Sequence, residues 1–239
     1  MALVTRLSRV RIREIRRPDD PALRPAYTLL RRTFPPSERV LFPEWIDTLE
    51  ERVQGLWTDT AWHLFVAERD GEVIGLCSGT YVGNVNIGVI GYLATTAATR
   101  GAGVGSRLRD RLRRAFRADA LRLVHKRLEG ILGEVSATNP WLARLSRDEH
   151  VLVLDVDYYQ PRLHATDDAS PFVLYYESMR GVRRAIPAAE LRRLLYAVWR
   201  RVYRVRRPLE RSAFNAMLRS IEGRRRIGAR PVPTERSAG

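Results

Sequence analysis

Residues 95–112, TTAATRGAGVGSRLRDRL, place three glycines at alternate positions between Arg100 and an arginine-rich helical pattern. The residues before them, NVNIGVIGYLA, are typical of a strand. Glycine lets consecutive backbone N–H groups turn toward a ligand with no Cβ in the way. The N-terminus of the helix adds about half a positive charge at the same point. The pattern predicts an anion site that suits a pyrophosphate; the alternative is a tight turn without a ligand.

The loop differs from two better-known phosphate motifs. No Lys-Ser/Thr pair follows the last glycine, as the nucleotide P-loop requires. The spacing is also not the G-x-G-x-x-G of a dinucleotide-binding unit.

The patterns around the loop predict the order β α α β β β α β α β β. SRVRIREIRR (8–17) reads as a first strand, and Asp70-Gly71 is the turn of a hairpin between two β-rich runs. Helical spacing places one set of apolar residues on a single face after the loop: Val104, Leu108, Leu112 and Phe116. GILGEVSA (130–137) is a short strand, and HVLVLDVDYYQPRL and SPFVLYYESM are two closing strands. This order predicts an α+β fold with a mixed, mostly antiparallel central sheet flanked by helices.

The net charge of +15 comes mainly from the C-terminal tail. Residues 180–239 hold 17 arginines against four glutamates, so residues 1–179 carry a net charge of only about +2. The tail contains one strong amphipathic helix, PAAELRRLLYAVWRRVYRV, and a weaker one near Phe214. We therefore expect a main domain over 1–180, a basic helical extension over 181–222 and a disordered end over 223–239.

Composition excludes several classes of protein. No apolar run is long enough to span a membrane, and the N-terminus lacks the apolar stretch of a secretory signal. The single cysteine, Cys77, allows no internal disulfide and suits a buried strand position. The four histidines have no ligand spacing, so no metal is expected. A cytoplasmic protein is predicted.

Arg100-Gly101-Ala102-Gly103-Val104-Gly105, with this order of strands and helices, resembles the R/Q-x-x-G-x-G/A signature of the GNAT superfamily of N-acetyltransferases. GEVSATNP resembles the fifth strand of that family and the asparagine that follows it. The resemblance covers about residues 8–178 and implies acetyl-CoA as co-substrate. It assigns these residues to acetyl-CoA: Leu93, Ala94, Thr95, Arg100, Gly101, Ala102, Gly103, Val104, Gly105, Ser106 and Asn139. Leu93 would also offer its N–H to the thioester carbonyl as an oxyanion donor.

The resemblance implies acetyl transfer to an amine by direct attack, which needs proton transfers at both partners. The fourth strand has no acidic residue, so Glu134 on the fifth is the first candidate for the base. In the family, a Tyr about seven residues after the asparagine often acts as the general acid. Position 146 is Ser here, so Tyr158 is proposed as the general acid instead. Glu38, Tyr92 and Tyr159 are expected at the acceptor. Structural roles remain open for all of these residues.

Two other classes of function remain open. The protein could bind acetyl-CoA without efficient catalysis, because the usual tyrosine and strand glutamate are missing. The arginine-rich tail could instead bind nucleic acid or an acidic membrane surface. We favour docking of the tail through its apolar stripe, on the sheet, over the acceptor site as a lid or in a homodimer.

Overall fold

The computed structural model describes residues 10–164 and 168–230. They form two compact units, one of residues 10–128 with 163–164 and the other of residues 129–162 with 168–230. Residues 181–230 of the tail belong to the second unit. The division at residue 180 into a main domain and an extension stays a prediction.

The first unit is an antiparallel sheet with helices on both of its faces. Neighbouring strands pair in chain order, β1 to β2, β2 to β3 and β3 to β4. Its elements are β1 Arg11–Ile15, α1 Leu23–Thr33, α2 Phe42–Val53, β2 Thr60–Arg69, β3 Glu72–Val82, β4 Ile87–Thr95 and α3 Val104–Val124. The first predicted strand is confirmed over its central part, and its residues 8 and 9 lie outside the described residues.

The β2–β3 hairpin turns at Asp70 and Gly71, as predicted. Both residues have positive φ, 54° and 81°. A two-residue turn with both φ values positive matches the right-handed twist of the flanking strands, which is why Asp-Gly is favoured there.

Helix α3 packs on the sheet through the ring of Phe116, which lies directly over Gly88 of β4. The predicted stripe from Val104 to Phe116 is buried. A Cβ placed on Gly88 would lie 2.1 Å from the ring of Phe116, and one on Gly79 would lie 2.8 Å from it. Any side chain at Gly88 would therefore push α3 away from the strands. This contact fixes the helix whose N-terminus follows the glycine loop.

The opposite face of this sheet is covered by α1 and α2. Their apolar residues form one core with alternate residues of the strands, such as Leu64, Val66 and Leu76. Trp45 of α2 and Leu30 of α1 are almost completely buried in it. The pattern follows from the period of two in a strand, because the residues between, His63 and Phe65, point toward α3.

The second unit combines a second antiparallel strand arrangement with the helices of the tail. Strand β8 pairs with β5 along one edge and with β6 and then β7 along the other. Its elements are β5 Gly130–Val135, α4 Trp141–Leu145, β6 Val151–Val153, β7 Tyr158–Gln160, β8 Ser170–Ser178, β9 Ala185–Pro187, α5 Ala188–Ala197, α6 Ser212–Ser220 and β10 Arg226–Gly228.

Two differences from the sequence reading lie in this unit. The run 150–163 is two short strands rather than one, because residues 153–155 turn to pair with residues 228–230. Strand β10, within the stretch expected to be disordered, pairs with β9. Disorder is therefore the wrong prediction for 226–228, and residues 231–239 lie outside the described residues.

The apolar stripe of the tail is packed inside the second unit. Leu191, Leu195 and Trp199 are buried, and the Trp199 ring lies 5.1 Å from that of Phe214 in α6. Helix α5 continues as a π-helical segment over Val198–Val202. The arginines of the same helix, such as Arg192 and Arg200, remain exposed.

Candidate functional site

Strand β4 carries a β-bulge at Gly91 and Tyr92. Between the pairs Gly79–Ile90 and Cys77–Leu93, β3 advances two residues and β4 advances three. The Tyr92 N–H donates to Ser78 Oγ at 3.2 Å in place of a backbone partner. A bulge bends its strand and changes the direction of the residues that follow. Leu93, the predicted oxyanion donor, comes directly after this bend.

The connection from β4 to the loop is a short 3-10 turn, Ala97–Thr99, tied to β3. The Thr96 N–H donates to the Ile74 carbonyl at 2.9 Å. The buried Thr99 hydroxyl donates to the Thr96 carbonyl at 3.1 Å. These bonds hold the end of β4 in place and fix where the glycine loop begins.

The glycine loop has the left-handed backbone that its composition predicts. Gly101 and Gly103 have φ values of 81° and 75°. A Cβ on either would meet no atom within 4 Å, so the backbone conformation, and not crowding, favours glycine there. The loop is exposed, and the Arg100 and Ala102 N–H groups donate to the carbonyls of Ala97 and Thr99.

The positive end of α3 opens directly from this loop. The first backbone bond across the N-terminus runs from Arg107 N–H to the Gly103 carbonyl at 3.1 Å. No side chain caps this end, and no acidic residue lies in its first turn. The N–H groups of Val104, Gly105 and Ser106 donate to no acceptor among the described residues. An open cradle with free donors at a helix N-terminus fits a pyrophosphate.

Two residues predicted at the acceptor are linked in the first unit. The Tyr92 hydroxyl accepts the Val40 N–H at 3.0 Å, and its ring lies 5.2 Å from that of Phe34. Glu38 belongs to the same segment, at the end of the 3-10 turn Pro36–Glu38. Burial raises the pKa of Glu38. His164, which the sequence reading did not assign, has Nε2 at 3.1 Å from the Pro36 carbonyl oxygen.

The two proton-transfer candidates of the second unit, Glu134 and Tyr158, lie together. The Tyr203 hydroxyl donates a short hydrogen bond to Glu134 Oε1. Tyr158 is fully buried, and its hydroxyl makes no hydrogen bond of good geometry within the described chain. Burial and the nearby Glu134 carboxylate raise the pKa of Tyr158 well above its usual value, while Tyr203 acts in the opposite direction. Tyr158 is therefore a neutral phenol with a proton to donate.

Tyr159 and Asn139 are not part of this cluster. Tyr159 pairs with Pro171 and neighbours Tyr158 in the strand, so the two side chains point to opposite faces. The Asn139 side-chain oxygen accepts the Trp141 N–H at 2.9 Å at the start of α4. Their predicted contacts with acceptor and acetyl-CoA stay predictions.

Tyr203 is the site residue that the sequence reading missed. It follows Leu191, Leu195 and Trp199 at intervals of four, and this spacing places all four on one helical face. This spacing indicates that Tyr203 lies on the packed face of the helix, but it does not indicate that Glu134 is its partner.

The cysteine, the metal-ligating residue types and the longest helices of the described residues were each predicted to have no catalytic, metal-binding or membrane-spanning role. Cys77 is fully buried, and burial raises the pKa of its thiol to about 12, as suits a structural residue. No group of three or more His, Cys, Asp or Glu side chains that could hold a metal ion occurs among residues 10–164 and 168–230. No helix in these ranges is long and apolar enough to cross a bilayer. A cytoplasmic location stays a prediction.

The bulged strand, the open glycine loop and the helix that follows it form one strand–loop–helix unit in an α+β protein. Residues 23–129 match the model of the acetyltransferase (GNAT) family. The matched segment runs from α1 to the residue before β5 and contains the loop. The resemblance to this family seen in the sequence is therefore confirmed over residues 23–129. No curated protein matches the sequence.

Solved structures of acetyltransferases share the fold, and two of them show the extent of the likeness. A protein from Bacteroides thetaiotaomicron, assigned to the GNAT family of acetyltransferases, superposes with a TM-score of 0.60 at 20% identity, over 82% of this chain and 99% of its own. An N-acetyltransferase from Staphylococcus aureus Mu50 gives a TM-score of 0.50 at 16% identity, over 71% of this chain and 98% of its own. The predicted α+β fold is confirmed; identities this low establish nothing beyond the fold.

Proposed function

We propose that the protein transfers an acetyl group from acetyl-CoA to an amine by direct attack. The observation that carries the proposal is the glycine loop. Gly101 and Gly103 hold it in a left-handed conformation, in open space, before an uncapped helix N-terminus. The loop lies inside the segment that matches the acetyltransferase family.

The donor side of the proposal rests on the backbone of the first unit. The N–H groups of Val104, Gly105 and Ser106 would bind the pyrophosphate of acetyl-CoA, since they have no acceptor in the described chain. The backbone of Leu93–Thr95 would hold the pantetheine arm, and the Leu93 N–H would stabilise the oxyanion. Acetyl-CoA supplies the activated acyl carbonyl, and no covalent enzyme intermediate is required.

Proton transfer is assigned to the second unit. Glu134 would accept the proton of the amine, and the hydrogen bond from Tyr203 holds its carboxylate in one orientation. Tyr158 would donate a proton to the leaving thiolate, since its hydroxyl is protonated and makes no hydrogen bond of good geometry within the described chain. Glu38 and Tyr92 would bind the amine in the first unit, where a carboxylate attracts its positive charge before deprotonation.

The proposal is tested at the loop with Gly103→Glu. The new carboxylate would repel the pyrophosphate, so we expect calorimetry to detect no binding of acetyl-CoA. The matched control is Gly71→Glu in the β2–β3 hairpin, where φ is 81° against 75° at Gly103 and the Cβ position is equally open. Normal affinity in Gly103→Glu, or equal loss in the control, would refute the assignment.

Catalysis is tested separately by assaying a panel of amines with acetyl-CoA. Tight binding without transfer or hydrolysis would support the alternative of an acetyl-CoA-binding protein. The panel includes small amines, amino acids and peptides with free N-termini, because the sequence does not select among these acceptors.

A second candidate function is polyanion binding by the tail. Its apolar face is buried in the second unit, while Arg192, Arg193 and Arg200 are exposed. Retention on heparin that falls steeply with salt, and that is lost when these three are replaced by Gln, would support this function. Retention that is insensitive to the three changes would exclude it.

A further inference from the structure

The first unit contains a cavity of about 740 Å³ that acetyl transfer does not use. It lies between β1, β2, the end of α2 and the second half of α3, and no residue of the glycine loop lines it. Its volume falls within the range of small-molecule sites, roughly 300–1,000 Å³.

The floor of the cavity is a buried histidine between two carboxylates. His63 Nδ1 lies 2.7 Å from Glu14 Oε1, and Nε2 lies 2.6 Å from Asp119 Oδ2. Burial opposes a charge on the imidazole, but the hydrogen bonds to Asp119 and Glu14 outweigh it and raise the pKa of His63. The imidazolium thus neutralises part of the charge of both acids.

Arginines complete the neutralisation of these carboxylates. Arg52 Nη1 lies 2.7 Å from Glu14, and Arg122 Nη2 lies 2.6 Å from Asp119. Although burial opposes its charge, the hydrogen bonds of His63 and Arg52 lower the pKa of Glu14 to about 2. Glu14 also accepts a hydrogen bond from Arg16 at 2.7 Å, so both acids are engaged with His63 and these arginines.

The rim of the cavity is strongly basic. Six arginines and two carboxylates line it, although Arg13 is paired with Asp20 and Glu68 outside the lining. Arg111 and Arg114 are exposed and pair with no carboxylate within the described residues. Helical spacing places them on one face of α3 with Ala115, Ala118 and Arg122, so small side chains leave room between the cationic groups.

Aromatic surface completes the site. Trp57 and Phe65 line the cavity, and Trp57 is held by a hydrogen bond of 3.3 Å from its Nε1 to Glu51. Guanidinium groups match phosphate oxygens with paired donors, and several of them in one concave site favour more than one phosphate group. We propose that this cavity binds a small molecule that bears two or more phosphate groups, at a site separate from the glycine loop.

The experiment is a calorimetric titration of the full-length chain with inorganic pyrophosphate. Arg111→Gln and Arg114→Gln each remove one charged donor from the rim, and we expect each to weaken binding about tenfold. The matched control is Arg117→Gln, which removes the same charge from the same helix outside the lining, and its affinity should not change.

Gly103→Glu separates this site from the glycine loop, which also fits a pyrophosphate. The variant should keep a binding event that depends on Arg111. If Gly103→Glu does not fold, by circular dichroism, the comparison of Arg111→Gln with Arg117→Gln still decides. Equal affinities in those two variants, or no binding to folded Gly103→Glu, would overturn the proposal. A Gly103→Glu protein that keeps its acetyl-CoA affinity contradicts the acetyltransferase proposal and leaves this one intact.

A duplex DNA oligonucleotide is the competing probe. DNA binding that depends on Arg111 and Arg114, in a protein that binds no pyrophosphate, would replace the small phosphate ligand by a nucleic acid.

Discussion

Replacement of His63 by Gln tests the network of Glu14, His63 and Asp119 most directly. His63 is 7% exposed and joins β1 to α3 by hydrogen bonds of 2.7 and 2.6 Å. Gln is close in size and keeps one donor, but it carries no charge and cannot reach both carboxylates. The variant therefore leaves two buried acids whose remaining cationic partners are Arg16 and Arg52 for Glu14 and Arg122 for Asp119.

The expected cost follows from this geometry. Removing one partner of a buried ion pair typically costs about 3–5 kcal/mol. Both acids keep an arginine here, and Arg122 is largely exposed, so part of that cost is relieved. We expect His63→Gln to lower the free energy of unfolding by about 2–3 kcal/mol at pH 6.

The pH dependence has a defined sign. The pKa of His63 is raised in the folded protein above the reference value of 6.5, so its contribution is complete below about pH 6.5. That contribution is lost as the pH rises through the folded pKa. The difference in stability between wild type and His63→Gln should shrink as the pH rises above that value.

Urea unfolding between pH 5.5 and 9 measures this difference. The control is His150→Gln, since His150 is half-exposed in the loop before β6 and the change should cost less than about 0.5 kcal/mol at any pH. A His63→Gln penalty that is constant across this range, or one no larger than that of His150→Gln, would refute the charged network.

Two further predictions concern the proton-transfer cluster and the packing of α3 on the sheet. Tyr203→Phe removes the hydrogen bond to the Glu134 carboxylate, so kcat for acetyl transfer should fall about tenfold or more with an unchanged KM for acetyl-CoA. The control is Tyr196→Phe, at an exposed tyrosine of α5, for which steady-state kinetics should show no such fall. Equal losses of kcat in the two variants would contradict the role of Tyr203. Gly88→Ala places a Cβ 2.1 Å from the Phe116 ring and should destabilise the protein by about 1–3 kcal/mol in urea. Gly105→Ala, where the added Cβ meets only Thr95 at 3.8 Å, should be neutral or stabilising by up to about 1 kcal/mol. A Gly105→Ala protein less stable than Gly88→Ala would contradict the contact between Gly88 and Phe116.

Local rules predicted the first unit well. The Asp70-Gly71 turn, the buried stripe from Val104 to Phe116 and the left-handed glycine loop all follow from residues that are close in sequence. Each depends on backbone preferences or on helical spacing, which neighbouring residues determine. The bulge at Gly91 and Tyr92 was not predicted, because register depends on the partner strand.

The second unit was predicted less well because its structure depends on distant partners. No pattern within residues 150–163 predicts that residues 153–155 pair with residues 228–230, some 75 residues away in sequence. Helical spacing puts Tyr203 in line with Leu191, Leu195 and Trp199, yet only the folded tail brings it to Glu134. A lid over the acceptor site was one expected place for the tail, but no residue of the tail could be assigned to the proton-transfer cluster from sequence alone.

Strand β10 has a consequence for how the tail can be studied and how it can evolve. Residues 226–230 donate to and accept from β9 and from residues 153–155. A truncation that removes them leaves hydrogen-bonding groups of two chain segments exposed at once, and such edges promote aggregation. We expect shortened forms to accumulate as insoluble protein, so β10 matters for solubility whether or not it takes part in the chemistry.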